Sequence, residues 1–176
     1  MGIDKLVLGL VLASVVAAQG QASLPVHDER ISIWSHDNFP NPVPVPPPVV
    51  RLLLRDKTVK DSMDRATEAE RKNPARLFRA AEVHLRSANE VDLLVVGMTP
   101  IQGADNGWFW VVRSAYKSPK IVLFTTGYSV EVMSSRTNGY LNLLSAWSNP
   151  NGTETHIYKF DGARYKLRKE TWRENH

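Results

Sequence analysis

The chain has 176 residues, carries 22 Lys and Arg against 18 Asp and Glu for a formal net charge of +4, and contains no cysteine. That length suits one domain with a substantial core, and the absence of thiols excludes disulfides, thiolate nucleophiles, cysteine-ligated zinc and a lipidated N-terminal cysteine. The small positive excess favours anionic surroundings but is too mild to single out nucleic acid, which is not expected as a partner.

Leu6 to Ala18 is an uncharged apolar run, short for a membrane span, that follows Lys5 and leads into the small residues Gly20 and Ala22. Residues 1–22 are therefore predicted to be a signal peptide, with a mature chain from Ser23 that is periplasmic or secreted. No later segment has the length and apolarity of a membrane anchor. Residues 23–48 are predicted to form an extended leader, because Pro40, Pro42, Pro44, Pro46, Pro47 and Pro48 disfavour a regular helix or central strand. A stiff spacer is the expected role, with Trp34 and Phe39 packing part of it back on the domain.

Residues 49–176 are predicted to be a single α+β domain. From Val49 to about Arg71, Leu52, Leu53, Val59, Met63 and Ala66 recur at helical spacing, which predicts one or two amphipathic helices, with Thr58 and Asp61 as a cap. Pro74 to Leu85 reads as helix passing into strand. Seven strand-like runs then follow: Leu93–Val96, Trp108–Val112, Ile121–Thr126, Val130–Met133, Leu141–Trp147, His156–Phe160 and Tyr165–Leu167. Their connections are too short for parallel crossovers, so the expectation is one antiparallel meander, curled or barrel-like, with the N-terminal helices on one side. Trp108–Val112 is apolar on both faces and is expected inside the sheet.

Two dipeptides set the expected hairpins. Asn138-Gly139 would place Val130 opposite Trp147 and Met133 opposite Leu144. Asp161-Gly162 would place Phe160 opposite Ala163, Tyr158 opposite Tyr165 and His156 opposite Leu167. The aromatic face of that hairpin is assigned to the core, leaving Lys159, Arg164, Lys166 and Arg168 as a basic stripe on the solvent side. These four are the candidate binding residues.

No phosphate-binding loop, dinucleotide fingerprint, nucleophile elbow, HExxH pair or EF-hand loop occurs. The five histidines are scattered singly, so no catalytic residue, metal site or cofactor is assigned; His84 and His156 are read as packed strand residues. A carboxylate pair for glycoside hydrolysis could be drawn from Asp92, Asp105 and Glu131. The turn residues and aromatics Asn138, Gly139, Tyr140, Tyr158, Lys159, Phe160, Asp161, Gly162 and Tyr165, with Gly103 to Asn106 ahead of Trp108, resemble an arrangement recurrent in uncharacterised exported bacterial proteins. The resemblance implies a β-rich exported domain and no catalytic residue. Asp92–Gly97 is also similar in placement to a strand of FG-GAP-like repeats, but Ser87 to Glu90 lack the aspartates of their calcium loop.

The expectation is an exported, non-catalytic binding module for an anionic envelope component or a protein partner, in the manner of an inhibitor. The alternative is a small hydrolase acting on envelope glycans. Export itself is directly measurable: N-terminal sequencing of the protein recovered outside the cytosol should begin at Ser23, and an uncleaved chain retained among cytosolic proteins would refute it.

Overall fold

The computed structural model describes residues 30–35, 37–103 and 106–174. The predicted signal peptide lies outside them. Strands β1 (Arg30–Ser35), β2 (Phe78–Val83), β3 (Asp92–Gly97), β4 (Gly107–Arg113), β5 (Lys120–Gly127), β6 (Ser129–Thr137), β7 (Tyr140–Asn149), β8 (Gly152–Phe160) and β9 (Tyr165–Glu174) account for most of the order, beside three short helices, α1 (Pro47–Leu53), α2 (Lys57–Ser62) and α3 (Glu68–Lys72). Among the described residues no helix is long and apolar enough to cross a membrane.

Among the described residues all pairings are antiparallel, as the short connections require, but the expectation of one curled or closed sheet is corrected. The described strands form two open sheets, β1-β6-β7-β8-β9 and β2-β3-β4-β5. The break falls between β5 and β6, where Tyr128 is the one residue separating the strands. A hairpin needs about two residues to reverse the chain. The backbone instead steps across to the other sheet, and the Tyr128 N–H donates to Ala146 O of β7 at 2.7 Å.

Two hydrophobic clusters follow from this division. Between the sheets, Val83, Leu94, Val96, Phe109, Val111 and Leu123 meet Trp34, Val130, Val132, Leu143, Tyr158 and Phe160. On the opposite face of the four-stranded sheet, Ala80, Leu93, Val95, Trp110 and Val112 pack with Val49, Val50 and Leu53 of α1 and Val59 of α2. β3 is buried along its whole length and β4 nearly so, which accounts for the apolar character of Trp108–Val112 on both faces. Phe109 and Trp110 are both fully buried, each worth roughly 1.5–3 kcal/mol against exposure.

The proline-rich stretch is built into this body and is not a spacer from residue 30 onward. β1 pairs with β6, Trp34 and Phe39 enter the core between the sheets, and the Val43 N–H donates to Ala80 O at 2.7 Å. Alternating prolines leave Val43 and Val45 as the residues turned to the protein. Pro47 and Pro48 open α1, a position where a missing N–H sacrifices no helical bond. α2 is capped by Asp56, whose carboxylate accepts from Thr58 N at 3.0 Å; Thr58, expected to be the cap, lies one residue inside the helix.

Gly127 makes the step between sheets possible, since a Cβ there would stand 2.7 Å from Ala146 O. Gly127→Ala should therefore cost roughly 1–3 kcal/mol, the scale of enforced backbone strain. Urea denaturation checks this, and an unchanged midpoint would show that the corner relaxes freely.

Candidate functional site

The β8–β9 hairpin decides where the polar side chains of the five-stranded sheet meet. Its connection is four residues long, Asp161 to Arg164, and not the two-residue turn expected from Asp161-Gly162. The Asp161 carboxylate accepts from the N–H groups of Ala163 and Arg164, both at 2.9 Å, and its own N–H donates to Arg164 O. The Arg164 N–H, then Lys166 and Ala163, hold that carboxyl well below the usual range. The side chain thus converts Asp161 from a turn corner into the cap of a wider loop.

The register moves accordingly. Phe160 faces Tyr165, Lys159 faces Lys166 and Tyr158 faces Leu167, so Tyr158 and Tyr165 are not opposite each other. A shift of two residues preserves the faces, and Tyr158, Phe160 and Tyr165 remain in the core. Tyr165 donates to Leu141 O at 2.8 Å, and burial pushes its phenol far up. A bulge between Ile157 and Tyr158 then leaves Arg168 without a cross-strand partner and brings Lys169 opposite Ile157 and Glu170 opposite His156.

Lys159, Arg164, Lys166 and Arg168 are all exposed. They do not form one uniform row: Lys166 is paired with Asp161 at 2.9 Å, Arg164 sits in the loop and Arg168 in the bulge. Arg164 and Lys166 line a groove of about 400 Å³ between β5 and β9, whose other lining residues include Ile121, Phe124 and Leu167. Both strands are sheet edges. Phe124 and Leu167 are 38% and 46% exposed there.

A second constellation was not legible in the sequence. In successive rows across β7, β8 and β9, Trp147, Glu154 and Trp172 stand side by side, followed by Ser145, His156 and Glu170. His156 Nε2 is 2.9 Å from Glu154 Oε1 and 3.9 Å from Glu170 Oε2. Its Nδ1 lies 3.4 Å from Tyr158 Oη, which bonds Thr125 Oγ1 at 2.9 Å, and the threonine hydroxyl donates to Ser145 Oγ at 3.2 Å. The alternation of Glu154, His156 and Tyr158 was the available signal. Pairing His156 with Leu167 concealed it, because Glu170 then fell opposite Thr153.

Of the carboxylates considered for a hydrolytic pair, Asp92 and Glu131 are not brought together. Asp92, in the four-stranded sheet, accepts from Ser114 N at 3.0 Å and lines a cavity of about 450 Å³ with Arg113 and Tyr140. Glu131, in the five-stranded sheet, pairs with Arg30 at 2.7 Å and is absent from that lining. Asp105 lies outside the described residues. In the β6–β7 hairpin the Asn138-Gly139 turn forms as expected, with both residues at positive φ, but an irregularity between Val132 and Arg136 sets Val130 opposite Ser145 and not Trp147.

Burial raises the Asp92 pKa, and the Ser114 hydrogen bond opposes it. The folded state then holds this proton to higher pH than the unfolded chain, so the stability it contributes is complete below about pH 3.9 and is lost as pH rises through the folded value. Asp92→Asn keeps an oxygen acceptor for Ser114 without the charge. Its stability relative to the parent should rise between about pH 4 and pH 7, read by urea unfolding at each; a constant difference would exclude burial as the dominant cause. Comparison with protein-family models, curated proteins and solved structures finds no match to the chain.

Proposed function

We propose that the protein is an exported, non-catalytic binding module that takes an anionic envelope component or the acidic face of a protein partner at the β8–β9 hairpin and its groove. The observation that carries this reading is the pairing of exposed apolar surface with cationic rim. Phe124 and Leu167 stay open between two sheet edges, with Arg164 and Lys166 beside them and Lys159 directly across from Lys166. Charged edge residues serve in part to prevent strand-to-strand aggregation. Exposed aromatic and leucine side chains in a concave lining do the opposite, and together with the cations they suit an anionic ligand with apolar groups.

Recognition of this kind rests on exposed charges, so it weakens as salt shortens the screening length, about 10 Å at 0.1 M. Envelope glycan hydrolysis has less support, since Asp92 and Glu131 stand in different sheets and Glu131 is not in the lining of the cavity that Asp92 faces.

The test places a photo-crosslinking residue at Leu167 and captures partners from cell envelopes. Reversing the charges at Lys159, Arg164, Lys166 and Arg168 should abolish capture of the anionic partner, and added salt should weaken it in the parent, while circular dichroism stays unchanged. Equal capture by the reversed variant would overturn the assignment.

A further inference from the structure

We propose that Glu154, His156 and Glu170 form a site for one transition-metal dication of the zinc type. Each offers one ligand atom, and the three atoms lie within 4.8 Å of one another. Two ligands at about 2.0 Å from a tetrahedral zinc ion stand about 3.3 Å apart. The present separations from His156 Nε2, 2.9 Å to Glu154 and 3.9 Å to Glu170, fall on either side of that value. An imidazole with two carboxylates is a donor set that zinc accepts, whereas magnesium and calcium favour oxygen alone.

The surroundings supply what three ligands leave undone. Because the Thr125 hydroxyl donates to Ser145, the Tyr158 hydroxyl donates to Thr125 and accepts from the Nδ1–H of His156, which leaves the Nε2 lone pair turned to the carboxylates. A metal-bound histidine is oriented in this way. Thr125, Ser145 and Tyr158 are buried, so the backing is rigid, while the Glu170 side chain is 60% exposed and gives an ion access from solvent.

Beside the cluster lies a cavity of about 230 Å³, lined by Asn106, Thr126, Ser145, Trp147, Glu154 and His156. Asn106 Oδ1 is shielded from solvent and has no hydrogen-bond partner. It is an acceptor suited to a water in the fourth coordination position, which three protein ligands leave open.

The full chain, stripped with a chelator, is titrated with zinc chloride by calorimetry and with cobalt(II) by visible absorption. One equivalent should bind, with cobalt bands of tetrahedral intensity, and magnesium should not compete. His156→Ala should abolish both signals, and Glu170→Gln, at an exposed position that does not endanger folding, should weaken zinc by at least about tenfold. His84→Ala, at an exposed position just beyond β2, should leave binding intact. Absence of saturable zinc binding, or equal affinity in the Glu170→Gln and His156→Ala variants and the parent, would overturn the site.

Discussion

The structure depends on one backbone constraint, the passage from β5 to β6 through a single residue. Gly127 lets the end of β5 press against β7, and Tyr128 hydrogen-bonds Ala146 O at the point of contact. Because the chain crosses there and does not reverse, what reads as one meander becomes two sheets sharing a core. The same corner sets Thr125 against Ser145 and Tyr158. A polar junction is thereby enclosed at the edge of an otherwise apolar interface, where each hydroxyl finds its partner in the other sheet.

Each surface of interest lies where residues of the two sheets meet at a cavity. Along β8 the inward row changes from core residues, Tyr158 and Phe160, to the half-buried His156 and Glu154, with Trp147 and Trp172 on the flanking strands. The opposite end of the hairpin leaves Phe124 and Leu167 open between two edges, beside Arg164 and Lys166. The two regions carry opposite chemistry. One gathers carboxylates around an imidazole and suits a cation, while the other gathers cations around apolar side chains and suits an anion.

Element identity was largely legible because burial leaves a local trace. β3, β4 and β5 begin and end within about two residues of their apolar runs, and the positive φ at Asn138 and Gly139 follows from residue types that tolerate it. The four basic residues are exposed as expected, Lys159 and Lys166 because a register shift of two preserves the face, Arg164 because it lies in the loop and Arg168 because it lies in the bulge. Partner identity was not legible. It depended on Asp161 capping a wider loop and on the bulge at Arg168, both small energetic choices made by backbone hydrogen bonds that composition does not encode.

The amino-acid sequence by itself determined the strands from β3 onward, the antiparallel pairing imposed by short connections, the Asn138-Gly139 turn and the cationic exterior of the last hairpin, because periodicity and turn chemistry act over a few residues. Tertiary structure alone decided that the strands form two sheets, that the proline-rich stretch from Arg30 onward is part of the body, and that Glu170 meets His156. Those outcomes rest on contacts between distant segments, where a single bulge or a one-residue connection changes every partner downstream.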